Sequence, residues 1–190
     1  MPGAEGKYRL LEEVLHMETL SKRPHPYIVR YLGCQVCDGR IKAIALEPLG
    51  STLLDYAQDT PDKFAQLDKE TFLAGVESAV KFMHSLGLAH NDISPKNVMV
   101  READDGTCSP VLIDFDSCGP FGYRLLSGGS TNFVDTKDAD PYHSHKKHDE
   151  FALDCMRTWW DEQLEPDADF QPEAGPDSVE SPLAAASTPP

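Results

Sequence analysis

Two kinds of segment are missing from the 190-residue sequence. No apolar run approaches the roughly 20 residues that a transmembrane helix requires, and the N-terminus lacks the apolar core of a secretory signal peptide. Basic residues are also scarce, since 17 Lys and Arg face 32 Asp and Glu, a formal net charge of −15. This balance argues against binding to nucleic acid or to an anionic membrane surface. We therefore expect a cytoplasmic or nuclear protein without membrane attachment.

The negative charge is concentrated near the end of the sequence. Residues 161–190 contain eight Asp and Glu residues and no Lys or Arg, which is about half of the excess. From about residue 165 onward the sequence is rich in Pro, Ala, Ser and acidic residues and has no apolar periodicity. This composition predicts a disordered tail over residues 165–190 and leaves residues 1–164 for one domain.

A second pair of cysteines at metal-ligand spacing is also lacking. The five cysteines are an odd number in a sequence without a secretory signal, so reduced thiols are expected. Cys34 and Cys37 form one C-x-x-C, which we interpret as residues near a strand end, with a metal or redox role as the alternative. His143, His145 and His148 could bind zinc, but no fourth ligand follows at fixed spacing, which favours a flexible basic loop.

The hydrophobic pattern predicts a mixed α+β arrangement with no internal repeat. The clearest helical pattern is that of residues 69–86, whose apolar residues form one stripe suited to burial. This helix is predicted to end before Gly87, a suitable C-cap residue. Residues 115–148 are predicted to form an extended loop. Helices are predicted at 8–22, 52–58 (with Ser51 as N-cap), 69–86 and 149–164, and strands at 27–36, 41–47, 97–100 and 111–114.

Two loops carry side chains suited to phosphoryl transfer. "HNDISPKN" (90–97) contains Asp92 and Asn97, and "VLIDFDS" (111–117) places Asp114 after an apolar strand. Phosphoryl transfer needs a group that orients the attacking hydroxyl and a divalent cation that neutralises phosphate charge. Carboxylate and amide oxygens are ligands that magnesium accepts. We therefore expect the two loops to form the floor of one site.

These two loops resemble the catalytic loop and the metal-binding loop of protein kinases. Further segments agree: "RPHPYIVRYLG" (23–33), "ALEPLGSTLLDY" (45–56) and "HDEFALDCMR" (148–157) are similar to kinase segments in the same order. The resemblance covers residues 8–164. Among kinases, the sequence resembles especially the small kinase-like proteins of filamentous fungi. It implies a kinase-like fold with a partial N-lobe (8–47) and a partial, shortened helical C-lobe (48–164).

The resemblance also implies roles for individual residues and the use of ATP and Mg²⁺. Asp92 would orient the substrate hydroxyl or accept its proton, and Lys96 could reach a phosphate. Asn97 and Asp114 would hold Mg²⁺. Asp149 would brace the catalytic loop from below, which is a structural task.

The adenine edge of such a site would lie in the hinge between the lobes. By the same resemblance Leu46 would be the gatekeeper residue. The backbone from Glu47 to Leu49 would face the adenine ring.

Several features depart from the kinase pattern. The glycine-rich loop and the phosphate-binding lysine do not precede the first helix in this sequence, so we expect an incomplete N-lobe of one helix and a hairpin. Asn91 stands where the family has arginine, and Asp116 where it has glycine. Because the helical lobe is also short, we expect Trp159 and Trp160 to be partly uncovered, which favours association with a partner. The acidic residues of the first helix, Glu12, Glu13 and Glu18, are interpreted as a solvated face.

Three functions remain open on this basis. The first is an ATP-dependent protein kinase that acts on a protein substrate, with Ser or Thr favoured over Tyr and with turnover that the missing parts would impair. The second is a pseudokinase that serves as a binding module for a partner protein. The third is a small-molecule phosphotransferase, which would share Asp92, Asn97 and Asp114.

Overall fold

The computed structural model describes residues 5–125, 133–138 and 140–165. The predicted disordered tail and part of the predicted loop at 115–148 therefore lie outside the described residues. Within them, no helix is both long and apolar enough to cross a bilayer. The elements in chain order are α1 (Glu5–Ser21), β1 (Tyr31–Cys37), β2 (Arg40–Leu46), α2 (Leu53–Asp59), α3 (Pro61–Phe64), α4 (Lys69–Ser85), β3 (Leu88–Ala89), β4 (Val98–Glu102), β5 (Cys108–Leu112), β6 (Gly119–Pro120) and α5 (Lys146–Leu164).

The first lobe consists of α1 and the antiparallel hairpin β1–β2. Helix α1 agrees with the helix predicted at 8–22 and buries Val14 and Met17 on one face. The hairpin turns at Asp38 and Gly39, which both adopt left-handed backbone conformations, with φ of 52° and 69°. Such values are required by the two-residue turn that matches strand twist, which explains the Asp-Gly pair. The described part of this lobe thus contains one helix and one hairpin.

The predicted strand at 27–36 is wrong at its start, because residues 27–30 pair with the second lobe. Val29 N–H donates to Leu112 O at 3.0 Å, and Leu112 N–H donates to Tyr27 O at 2.8 Å. Ile28 forms a parallel bridge with the same residue of β5. The backbone of Tyr27 and Val29 therefore pairs with the N–H and C=O groups at the edge of β5, and β1 begins only at Tyr31.

The second lobe is built around α4. Asp68 caps the helix by accepting Thr71 N–H, and Gly87 follows the C-cap in a left-handed conformation with φ of 74°. The predicted helix at 69–86 and its glycine stop are therefore confirmed. The shorter helix α2 is capped by Thr52, whose hydroxyl accepts Asp55 N–H at 3.1 Å, so the expectation of Ser51 as N-cap is wrong.

Two small antiparallel sheets lie beside α4. Strands β4 and β5 pair with Val98 opposite Leu112, and β3 pairs with β6. Helix α4 contacts β5 closely at Gly75, where an added Cβ would lie 2.6 Å from Pro110 Cγ. The absence of a side chain at this position lets the sheet approach the helix. The pairing of β3 with β6 was not predicted, because both strands have only two residues.

Trp160 is fully buried, which contradicts the expectation that both tryptophans are partly uncovered. Its ring lies 4.6 Å from that of Phe64 and 5.5 Å from that of Phe72, measured between centroids. Phe64 belongs to α3, an unpredicted helical turn that covers this end of α5. Trp159 is only partly buried and meets Phe64 edge to face. Helix α5 also begins at Lys146, before the predicted residue 149.

We expect Trp160→Ala to lower the free energy of unfolding by about 3–5 kcal/mol, because it leaves a cavity among aromatic rings. Urea unfolding followed by circular dichroism would measure the loss. Trp159→Ala is the matched control, and its loss should be about half as large or less, since that ring is already partly in water. Equal losses for the two variants would contradict the packing described here.

Candidate active site

The loop of residues 90–97 runs from β3 to β4 and is held by its histidine. His90 is fully buried, and its Nε2 lies 3.0 Å from Ile113 O. A carbonyl oxygen only accepts, so Nε2 carries the proton and Nδ1 accepts Asp92 N–H at 3.3 Å. The ring also packs against Phe115, with centroids 5.2 Å apart. One imidazole therefore joins this loop to the segment that follows β5.

Asp149, near the start of α5, fixes the same loop from below. Its carboxylate is fully buried and accepts the backbone N–H of His90 at 2.9 Å and of Asn91 at 2.8 Å. His84 Nε2 of α4 contacts it at 2.8 Å. The expected structural contact of Asp149 with the loop is therefore confirmed. Three donors around one buried carboxylate also meet the requirement that a buried charge be paired.

Asp92 and Asn97 meet at the top of the loop. The Asn97 amide nitrogen donates to Asp92 Oδ2 at 2.9 Å and to Asp92 O at 2.8 Å. The Asn97 backbone extends the β4–β5 pairing, because Ile113 N–H donates to Asn97 O at 2.9 Å. Asn97 is therefore placed beside Asp114, one residue further along. Pro95 contributes by accepting Leu54 N–H of α2 at 3.0 Å, which ties the loop to a helix.

Asp114 follows Ile113 in a left-handed conformation, with φ of 63°. A non-glycine residue in this region signals local strain that the surroundings maintain. Its pKa is raised, first by loss of hydration at the cleft floor and then by the negative charge of Asp116 and, more weakly, of Asp92. The structure thus brings Asp92, Asn97 and Asp114 to one place, as the sequence predicted.

Glu13 contradicts its interpretation as part of a solvated helix face. It is half-buried on α1 and faces the metal-loop carboxylates of Asp114 and Asp116. Burial and then these two charges raise its pKa to about 7, although Phe115 N–H and Arg9 act in the other direction. Arg9, one turn earlier, pairs with Asp116. The acidic side of the cleft therefore includes one glutamate and one arginine that the apolar pattern did not indicate.

The donors present fit Mg²⁺ bound together with phosphates rather than a protein-only metal site. Among the described residues, no group of three or more His, Cys, Asp and Glu is placed to hold a metal ion. The Asn97 amide nitrogen donates to two oxygens of Asp92, which leaves the Asn97 amide oxygen as the atom that could bind a cation. One amide oxygen and one carboxylate, completed by phosphate oxygens, match the usual protein share of Mg²⁺ coordination.

The Glu47 side chain is held by neighbouring residues of the protein. The Glu47 carboxylate accepts Arg30 N–H at 2.9 Å and the Arg101 guanidinium at 2.6 Å. Glu47 N–H donates to Arg30 O, and the expected contact of the Glu47–Leu49 backbone with adenine stays a prediction. Leu46 is 37% exposed. Lys96 is also exposed, and its proposed contact with a phosphate stays a prediction.

The histidines considered for zinc do not converge. His143 pairs with Asp140 at 2.7 Å, and the His145 ring caps α5 by accepting Lys147 N–H at 3.1 Å. His148 instead contacts Asn91 and the carboxylate of Asp138. The three rings therefore serve separate structural contacts. Cys34 and Cys37 both lie in β1 with free thiols.

Comparison with known proteins gives a family match over most of the chain. The family model described as "Protein kinase domain" matches residues 3–138. This range includes both loops of the candidate site, the hinge and α4.

Relatives of known name agree with this match. The serine/threonine-protein kinase/endoribonuclease IRE1 of Hypocrea jecorina is 32% identical over 112 residues, covering 56% of this chain and 9% of that protein. The serine/threonine-protein kinase DCLK1 of Rattus norvegicus is 30% identical over 110 residues, covering 58% and 25%. The serine/threonine-protein kinase RHS3 of Arabidopsis thaliana is 30% identical over 132 residues, covering 66% and 26%. The matched region spans about a tenth to a quarter of the length of these relatives.

The family match ends before α5 and covers the loop of residues 90–97 together with β4 and β5. A buried carboxylate at the start of α5 holds the loop of residues 90–97, and β4–β5 pairing brings Asn97 beside Asp114. The chain belongs to the protein kinase domain family.

Proposed function

We propose that the domain transfers the γ-phosphoryl group of ATP to a Ser or Thr hydroxyl of a protein. The proposal rests on the contact of 2.9 Å between Asn97 Nδ2 and Asp92 Oδ2. Asp114 lies near enough to Asp92 for the charge of Asp92 to raise the pKa of Asp114. The names of the relatives, all serine/threonine-protein kinases, favour this acceptor over Tyr and over small molecules.

Asp92 is the residue proposed to handle the substrate hydroxyl. Its backbone N–H is held by His90, and one carboxylate oxygen accepts from Asn97, so the side chain has a defined direction. A carboxylate in that position orients the hydroxyl and accepts its proton as the phosphoryl group transfers. The two neighbouring contacts supply the preorganisation that such a step requires.

Asn97 and Asp114 are the residues proposed to hold Mg²⁺. When bound, Mg²⁺ would neutralise charge on the phosphate oxygens of ATP. The mutual repulsion of Asp114, Asp116 and Glu13 makes a cation favourable here, because it relieves the like charges that raise the pKa values of Asp114 and Glu13. The Glu47 carbonyl and Leu49 N–H are proposed to contact adenine, and Lys96 a phosphate.

A second candidate function is that of a pseudokinase that binds a partner protein. Arg9 and Asp116 favour it, since Arg9 pairs with a carboxylate of the metal loop and Asp116 adds negative charge where the family has glycine.

The enzyme proposal is tested by Asp92→Asn. We expect kcat for phosphate transfer from radiolabelled Mg-ATP to a Ser/Thr peptide library to fall about 10²–10⁴-fold, since the amide cannot accept the proton. The KM for ATP should change little, because the other proposed nucleotide contacts remain. Asp104→Asn, in the exposed turn between β4 and β5, is the matched control.

Thermal shift separates the two candidates. A rise in Tm with Mg-ADP in wild type and in Asp92→Asn, together with transfer only in wild type, is expected for an enzyme. A Tm rise without transfer in either protein would support the pseudokinase. Transfer that survives Asp92→Asn would show that Asp92 does not have the proposed role.

The raised pKa of Glu13, about 7 against an ordinary 4.5, predicts a pH-dependent stability. The folded state holds this proton more tightly than the unfolded state, so the contribution is complete below about pH 4.5 and is lost as the pH rises to about 7. Since the side chain is only half-buried, we expect a loss of about 1 kcal/mol after solvent screening.

Urea unfolding at pH 5 and pH 8 measures this effect. Glu13→Gln should be more stable than wild type at pH 8 and should lose less stability between the two pH values. Glu18→Gln, at an exposed position of the same helix, is the control and should behave like wild type. Parallel profiles for Glu13→Gln and wild type would contradict the placement of Glu13 against Asp114 and Asp116.

A further inference from the structure

Asn91, directly before Asp92, joins three segments of the chain. It is buried and left-handed, with φ of 64°. Its amide nitrogen lies 3.1 Å from Ala89 O, 3.0 Å from Ser117 O and 3.0 Å from Ser144 Oγ. These atoms belong to β3 and to both ends of the activation segment, the residues 113–145 between β5 and α5. A single carboxamide thus links the catalytic loop to that segment.

The orientation of this carboxamide is fixed by its neighbours. Two of the three groups near the nitrogen are backbone carbonyls, which only accept, so the nitrogen must face them. The oxygen then points the other way, where it accepts His145 N–H at 3.4 Å and meets His148 Nδ1 at 3.1 Å. Since an amide oxygen also only accepts, His148 Nδ1 must carry a proton.

The second ring nitrogen of His148 also faces an acceptor. His148 Nε2 lies 3.0 Å from Asp138 Oδ2, and Lys147 Nζ lies 2.6 Å from Asp138 Oδ1. The Asp138 side chain is only 6% exposed. The pKa of Asp138 is held at about 2, first by the hydrogen bond from Lys147, then by Asp140 N–H and then by His148. This carboxylate is therefore ionised at neutral pH and accepts only.

A neutral imidazole has one N–H and cannot donate to two acceptors at once. The contacts on both sides are satisfied together only by the imidazolium form. We propose that His148 is a protonated positioning residue that ties Asp138 of the activation segment to Asn91, and through Asn91 orients Asp92. This inference rests on the proposed kinase function for its effect on catalysis, but the protonation of the ring does not.

The groups around His148 decide how this contact responds to pH. Asp138 favours the charged ring, whereas Lys147 and the N-terminus of α5 oppose it. His145 lies 6.5 Å away between ring centroids, and Asp149, the next residue of α5, is engaged by the catalytic loop and His84. When rising pH removes one ring proton, the deprotonated nitrogen carries a lone pair. This lone pair then faces an oxygen of Asn91 or of Asp138, and no hydrogen bond forms between them. The tie then weakens and the catalytic loop is less firmly held.

The protonation state is tested by NMR of the full chain with ¹⁵N-labelled histidine. We expect both ring nitrogens of His148 to carry protons at pH 7, identified by comparison with His148→Gln. A ring with a single N–H at pH 7 would overturn the proposal. This readout does not depend on any catalytic activity.

The positioning role is tested by His148→Gln, Asp138→Asn and the control His143→Gln. His143 also pairs with a carboxylate, that of Asp140, but the structure gives it no contact with Asn91. We expect His148→Gln and Asp138→Asn to lower kcat about tenfold at pH 7 with little change in the KM for ATP. The dependence of kcat on pH should be flatter in His148→Gln than in wild type.

Hydrogen exchange separates failure of this inference from failure of the proposed function. Amides of residues 90–97 should exchange about tenfold faster in His148→Gln than in His143→Gln, whether or not the protein is a kinase. If wild type transfers no phosphate but the NMR and exchange results hold, the tie stands and the proposed function fails. If His148→Gln matches His143→Gln in exchange and rate, the tie is wrong.

Discussion

The loop of residues 90–97 depends on one buried charge. The Asp149 carboxylate, with no solvent exposure, receives two consecutive backbone N–H groups of the loop and a histidine of α4. Such an ion is expensive to bury unless every neighbour donates to it. The cost is offset only when β3, α4 and α5 are all in place, so the geometry of the loop is a property of the whole second lobe. The positions of Asp92 and Asn97 follow from that constraint.

A second constraint comes from strand pairing. Val98 lies opposite Leu112, so the residues just before β4 and just after β5 must lie side by side. This explains why the separation of five residues between Asp92 and Asn97 was informative from the sequence alone. A loop of that length closes on itself, and the pairing register then brings Asp114 to it. The prediction of one shared site was therefore one of local geometry, which sequence patterns describe well.

Other features depended on contacts that no local pattern encodes. Glu13 and Glu18 look alike in the sequence, and only the rotation of α1 against the cleft makes one half-buried and the other exposed. The four residues of α3 are too few for periodicity, yet Phe64 within them covers Trp160. The role of Asn91 was also missed. Its replacement of a charged residue was visible, but its amide contacts with Ser117, Ser144 and His148 join segments up to 57 positions apart.

The crossings between the two lobes have a mechanical consequence. Tyr27 and Val29 are hydrogen-bonded to Leu112, and Glu47 is bonded both to Arg30 and to Arg101 of β4. Two attachments at neighbouring points make rotation about the line that joins them easier than sliding along it. Helix α1 carries Arg9, which pairs with Asp116, and Glu13, which faces Asp114 and Asp116. A rotation of the first lobe about that line would therefore change the separation of these charges.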